Sequence, residues 1–142
     1  MTLSYVPDTG VVLNLVRGKE LGTRIDRTRS MRLQTVSIVT HGELKALAER
    51  NEWGAEKRNV LAVALDNLVT VNIESEALVE AYVQVDRACR SISGGSRALG
   101  QNDMWIAATA LLSDLPLITT DKDFRPLHDR LITVYLIDGQ DK

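Results

Sequence analysis

Short runs of β-branched residues alternate with longer stretches of helical periodicity along this chain of 142 residues, and this alternation limits the folds that it can adopt. Strands are predicted over residues 3–7, 35–39, 69–73, 117–119 and 132–137. Helices are predicted over residues 10–16, 40–50, 55–67 and 102–113, over a long segment that Ser75 caps, and over the Arg-rich stretch 17–32. Strands separated by helices need crossover connections, so we predict an α/β fold with a mostly parallel central sheet and helices on both faces, as a single domain over residues 1–142.

The overall charge argues against one mode of nucleic-acid binding. With 17 Lys and Arg against 19 Asp and Glu, the formal net charge is −2, which argues against binding through bulk positive charge alone. The charge is unevenly spread, because six basic residues stand against two acidic ones between Arg17 and Arg32. That stretch predicts either a solvent-exposed helix face with ion pairs or the border of a binding site.

The cysteine content and the apolar runs indicate the compartment. Cys89 is the single cysteine, so no disulfide can form within the chain, as is typical of a reducing cytosol. The apolar runs are far shorter than a membrane span, and the first eight residues show no leader pattern. We therefore expect a cytoplasmic protein with no membrane partner.

Acidic residues from distant segments are predicted to meet at one edge of the sheet. In a parallel sheet, ligand sites form beyond the carboxyl ends of the strands, where helix N-termini also point. The acids at that edge are Asp8 after the first strand, Glu43 in the first turn of the 40–50 helix, Asp103 at the start of the 102–113 helix, and Asp121 and Asp123 after the 117–119 strand. We expect these carboxylates to share one site.

Each of these acids also has a purely structural explanation. Thr40 and Glu43 fit the S/T-x-x-E capping box, in which the glutamate binds the backbone of the capping residue. Asn102 is a good helix cap, and Asp103 behind it would complement the helix dipole. The acids that follow strands are typical turn residues. These explanations account for the acids one at a time and not for their convergence.

Convergence of the acids predicts a divalent cation. Two carboxylates about 4 Å apart repel each other by roughly 4 kcal/mol at an effective dielectric constant near 20, so a cluster would strain the fold or hold a proton. Oxygen ligands without accompanying His or Cys favour Mg²⁺ or Mn²⁺ over zinc. The chemistry that follows is hydrolysis of a phosphodiester, in which one ion activates a water and a second, if present, stabilises the departing oxygen.

Four segments carry a more specific pattern in their order and spacing. They are Tyr5-Val-Pro-Asp-Thr9, Ser37-Ile-Val-Thr-His-Gly-Glu-Leu44, Asn102-Asp-Met-Trp-Ile-Ala-Ala-Thr-Ala110 and Leu117-Ile-Thr-Thr-Asp-Lys-Asp-Phe124. Through these segments, which extend over nearly the whole chain from residue 4 to residue 127, the sequence resembles a PIN-domain ribonuclease. It is most similar in pattern to the VapC-type toxins of bacterial toxin–antitoxin pairs.

The resemblance implies a function and assigns roles to residues. It implies Mg²⁺- or Mn²⁺-dependent cleavage of structured RNA, often transfer or ribosomal RNA, by a homodimer that a small antitoxin inhibits. The implied catalytic residues are Asp8, Glu43, Asp103 and Asp121, of which Asp8, Asp103 and Asp121 are metal ligands, with Thr9, Thr119 and Asp123 in supporting roles. The implied RNA-binding residues lie in the basic stretch and are Arg17, Arg24, Arg27 and Arg29. The family usually has Asn or Ser two residues after its first Asp, where this chain has Gly10, so a weaker or differently tuned activity is also open.

Other interpretations of the same residues were weighed. Asp8-Thr9-Gly10 is also the tripeptide of aspartic proteases, but the helical patterns from Thr40 onward contradict the nearly all-β chain that those enzymes need. Two alternatives within the PIN fold stay open. One is an RNA-processing nuclease without an antitoxin, and the other is a catalytically weak module that only binds RNA or a protein.

Overall fold

The computed structural model describes residues 2–18, 30–33, 35–92 and 99–137. The strands in these ranges are β1 (Thr2–Pro7), β2 (Ser30–Leu33), β3 (Thr35–Ser37), β4 (Val69–Val71), β5 (Leu117–Thr119) and β6 (Val134–Leu136). The helices are α1 (Thr9–Val16), α2 (Ile38–Arg50), α3 (Ala55–Asp66), α4 (Glu76–Ile92) and α5 (Gln101–Ser113), together with a 3₁₀ helix at Lys122–Leu127.

The strands pair in parallel throughout these ranges. Four of them form a sheet in the order β2-β1-β5-β6, and β3 and β4 pair separately. The predicted α/β fold with a parallel sheet is therefore confirmed. In the described part of the chain, none of the helices combines the length and the apolar character needed to cross a bilayer.

Strand β1 shows how the sheet is covered on both faces. Successive side chains of a strand point to opposite faces. Tyr5 packs in a cluster with Val11 of α1, whereas Val6 packs in the largest cluster, which includes Val85 of α4 and Ile106 of α5. Because β1 is flanked by β2 and β5, its carboxyl end lies inside the sheet and not at its edge.

The prediction of a helix over the Arg-rich stretch is wrong for its last residues. Residues 30–33 form β2, which pairs with β1 from Thr2↔Ser30 to Tyr5↔Leu33. The open edge of β1 offers this segment backbone hydrogen bonds, which outweigh its weak helical periodicity. Residues 19–29 lie outside the described part of the chain.

The boundary between β3 and α2 also differs from the prediction. The strand predicted over residues 35–39 ends at Ser37, whose hydroxyl accepts a hydrogen bond from Val39 N at 3.1 Å and caps α2. The helix therefore begins two residues earlier than predicted. This shift places Thr40 within the helix, fully buried, and turns Glu43 one half-turn away from where a capping box would hold it.

Candidate active site

Asp8 is the residue at the centre of the site. It follows β1, caps α1 by accepting a hydrogen bond from Val11 N at 3.0 Å, and is only 6% exposed. The pairing of β1 with β5 in the register Pro7↔Ile118 brings the next residues of the two strands together. As a result, the Thr119 hydroxyl donates a short hydrogen bond to Asp8 Oδ2 across 111 positions of sequence.

Thr119 also connects Asp8 to the acids that follow β5. Its Oγ1 accepts a hydrogen bond from Asp121 N at 2.9 Å, and Asp121 Oδ1 in turn accepts one from Asp123 N at 2.9 Å. Asp121 thereby caps the 3₁₀ helix, with Asp123 exposed in the first turn. The turn explanation holds for Asp8 and Asp121, but both caps use acids that lie beside one another.

Glu43 reaches the same place from α2, and the capping-box interpretation of it is wrong. The Thr9 hydroxyl donates to Glu43 Oε1 at 2.5 Å, and Asn102 Nδ2 donates to Glu43 Oε2 at 3.3 Å. Thr9 Oγ1 lies 3.1 Å from the buried hydroxyl of Thr40. Because Thr9 donates its single proton to Glu43, it accepts one from Thr40. This network ties the first turns of α1 and α5 to α2.

Asp103 lies in the first turn of α5, one residue from the amide that holds Glu43. The prediction that Asn102 caps this helix is wrong, because α5 begins at Gln101 with Gly100 as its cap and no side-chain hydrogen bond. Asn102 is instead a partner of Glu43. The sequence offered no signal for that contact, which spans 59 positions.

The electrostatics of the site show that the carboxylates act on one another. Burial, followed by repulsion from Asp121, Glu43, Asp8 and Asp123, raises the pKa of Asp103 to about 6. Burial also raises the pKa of Asp8, with smaller contributions from Asp121 and Glu43, against the opposing effect of the Thr119 and Val11 hydrogen bonds. The charged form of the cluster is therefore disfavoured in the protein alone, and a cation would relieve it.

The donor set fits a hydrated hard cation. In the parts of the chain that the structure describes, no three Asp, Glu, His or Cys side chains are grouped closely enough to enclose an ion directly. Mg²⁺ does not need such an enclosure, because it typically keeps several waters and uses one or two carboxylates plus substrate phosphate. The two histidines contact other groups, His41 bonding to Thr70 Oγ1 at 2.9 Å and His128 accepting from Val134 N at 2.9 Å.

Gly10 and Thr120 border the approach to Asp8. A Cβ built on Gly10 would lie 3.5 Å from both Asp8 Oδ1 and Thr120 Oγ1, which is ordinary contact distance. Gly10 therefore leaves an opening where the family pattern has a polar side chain, and the Thr120 hydroxyl faces that opening. Thr120 was not singled out in the sequence analysis.

The basic residues predicted to bind RNA are not brought to the acids by the described structure. Arg17 is exposed at the C-terminal cap of α1, nine residues and about 13 Å along the helix axis from Asp8. Arg24, Arg27 and Arg29 lie outside the described residues. Their role stays a prediction.

Comparison with known proteins gives a consistent family assignment. The model of the PIN domain family matches residues 5–128. Among curated proteins, no sequence matches the chain. Three solved structures are similar over nearly their whole length.

The first is VapBC2 from Rickettsia felis bound to a DNA fragment from the promoter, with 15% identity, a TM-score of 0.70, and coverage of 96% of this chain and 100% of that one. The second is VapBC-1 from nontypeable Haemophilus influenzae, with 19% identity, a TM-score of 0.67, and coverage of 94% and 98%. The third is VapBC-5 from Mycobacterium tuberculosis, a member of the VapBC family of toxin–antitoxin systems, with 25% identity, a TM-score of 0.62, and coverage of 94% and 97%.

Proposed function

The chain belongs to the PIN domain family, and from that premise we propose that it is a divalent-metal-dependent endoribonuclease, the toxin of a toxin–antitoxin pair. The proposed substrate is structured RNA such as transfer or ribosomal RNA. The proposed partners are a small antitoxin and a second copy of the chain, and the proposed cofactor is Mg²⁺ or Mn²⁺. The similarity to the VapBC structures supports the antitoxin.

One observation carries the proposal, namely the set of hydrogen bonds that joins four separate segments. Thr119 contacts both Asp8 and Asp121, while Glu43 contacts Thr9 next to Asp8 and Asn102 next to Asp103. A fold that needed these acids only as caps would have no reason to connect the caps to one another. The connection is expected of a site in which acids act on one ligand.

The roles of the residues follow from their environments. Asp8, Asp103 and Asp121 are the proposed ligands of the ion, which when bound would offset their mutual repulsion and stabilise the charge that develops on the scissile phosphate. Thr119 orients Asp8 and the Asp121 backbone. Glu43 is held at both oxygens yet retains free lone pairs, so it is the proposed acceptor of the proton from the attacking water.

The reaction that these groups support is hydrolysis. The water oxygen forms a bond to phosphorus, and the bond between phosphorus and the 3′ oxygen breaks. The water's proton goes to Glu43, and the departing oxygen takes a proton from solvent. The buried position of Asp8 and the tied position of Glu43 mean that little side-chain rearrangement is needed before the reaction.

Thr9→Val is expected to slow RNA cleavage by roughly tenfold to a hundredfold without unfolding the protein. Valine has the shape of threonine but cannot donate to Glu43 Oε1, and it leaves the buried Thr40 hydroxyl without its partner. Thr9→Ser keeps the donor and serves as the matched control. Single-turnover cleavage rates of the two variants would measure the effect, and equal rates would show that Glu43 does not depend on Thr9.

Expression of the protein in bacteria, with and without its candidate antitoxin, tests the proposed function. We expect growth arrest and new RNA ends that appear within minutes, both absent for Asp8→Asn and both suppressed by a small protein encoded immediately upstream. New RNA ends without such suppression would favour the RNA-processing alternative. Absence of new ends in the wild type would favour the binding-only module.

A further inference from the structure

A groove of about 500 Å³ begins at Glu43 and leads away from the acidic site along α2. One wall is Asn102 of α5, and the floor consists of Val39, Gly42, Glu43, Ala46 and Arg50. These five residues of α2 are spaced by three, one, three and four positions, which places them on one face of the helix. The groove therefore runs from the proposed site to the last turn of α2.

The floor of the groove is kept low between its two ends. Gly42 lies inside α2 with ordinary helical backbone, and a Cβ there would meet nothing within 4 Å. Neither backbone conformation nor packing within the described chain requires a glycine there, although glycine is among the poorest helix formers. Ala46 is exposed and equally small. An extended molecule could lie against the helix between Glu43 and Arg50.

Arg50 is a cation without a described partner at the far end of this groove. Its side chain is exposed and makes no hydrogen bond or ion pair with another residue of the described ranges. Stabilising the C-terminal end of α2 does not depend on it, because Arg58 of α3 already donates to Ala48 O at 3.2 Å and Trp53 O at 2.7 Å. Arg50 is therefore available to an external anion.

We propose that this groove seats the RNA strand beside the scissile bond, with Arg50 binding a phosphate that neighbours the one at the acids. The inference rests on the proposed function. Seven residues separate Glu43 from Arg50, about 10 Å along the helix axis, so Arg50 lies beyond the scissile phosphate. A guanidinium recognises phosphate through paired hydrogen bonds. In a protein with a net charge of −2, such a local contact is needed to hold a polyanion next to carboxylates.

Binding of RNA by Arg50→Ala tests the inference. The probe is a fluorescently labelled single-stranded RNA of mixed sequence, measured across a salt series in an Asp121→Asn background so that it is not cut. We expect Kd to rise roughly fivefold or more and the slope of log Kd against log salt to fall by about 1. Lys45→Ala is the matched control, because Lys45 is an exposed cation of the same helix outside the groove. Arg50→Lys should recover only part of the affinity.

A chemical change in the RNA sharpens the test. Replacing the phosphates next to the cleaved bond, one at a time, by uncharged methylphosphonates should at one position remove the difference between wild type and Arg50→Ala. If Arg50→Ala and Lys45→Ala behave alike while the wild type cleaves RNA, the groove assignment falls and the proposed function stands. If the wild type neither binds nor cleaves RNA, both fall. Weaker binding of an antitoxin with unchanged RNA affinity would likewise overturn the inference.

Discussion

Asp121→Asn is expected to lower the rate of RNA cleavage on the order of a thousandfold while the protein stays folded and still binds RNA. The asparagine oxygen can still accept the hydrogen bond from Asp123 N, so the cap of the 3₁₀ helix survives. What is lost is the negative charge that a cation needs at that position. Cleavage of a defined RNA by purified protein, measured under single-turnover conditions, gives the rate.

A matched control separates this effect from a general loss of negative charge. Asp114 is exposed at the opposite end of α5, in the left-handed region with φ of 54°, which asparagine tolerates well. Asp114→Asn makes the same change in net charge and should cleave at the wild-type rate. Cleavage by Asp121→Asn within a few-fold of that control would show that Asp121 is not part of the machinery.

Asp103→Asn is expected to stabilise the metal-free protein at pH 7 and above, by roughly 2–4 °C in Tm after allowing for screening by solvent. The folded-state pKa of Asp103 is raised from 3.8 to about 6, so between these values the folded state binds a proton that the unfolded state does not. This group therefore stabilises the fold at low pH and loses that contribution as the pH rises through about 6. Removing the charge removes the loss.

Magnesium should reverse the order of the two proteins. A ligand that binds only the folded state raises Tm by mass action, so Mg²⁺ should raise the Tm of the wild type and leave Asp103→Asn nearly unchanged. Potassium chloride at equal ionic strength controls for screening. A wild type whose Tm is insensitive to pH between 4 and 7 and to Mg²⁺ would contradict the coupling of these carboxylates.

The carboxyl-edge placement of the acids was accessible from sequence because the parallel order of strands determines it. A residue that ends a strand next to a crossover helix must lie at that edge, whatever the details of packing. Asp8 and Asp121 follow neighbouring strands of the sheet, and the hydrogen bonds through Thr119 depend only on the register of β1 and β5.

The partners of Glu43 were not accessible in the same way. Their identity depends on where α2 begins, and a shift of two residues between Ser37 and Thr40 as its start decides which way Glu43 points. Local patterns favoured Thr40, because both residues are good caps, and the contact with Asn102 exists only in three dimensions. The error over β2 has a similar origin, since pairing with β1 outweighs local periodicity.

Direct measurement of Mn²⁺ binding tests the central claim, which is that Asp8, Asp103 and Asp121 form one cation site. Calorimetric titration at pH 6, in two buffers of different ionisation enthalpy, reports both affinity and proton release. We predict saturable binding by the wild type and Asp114→Asn with release of a proton, because the ion displaces the one held near Asp103, and strong loss of affinity in Asp8→Asn and Asp103→Asn. Equal affinity in all four proteins, or no saturable binding by the wild type, would contradict the claim.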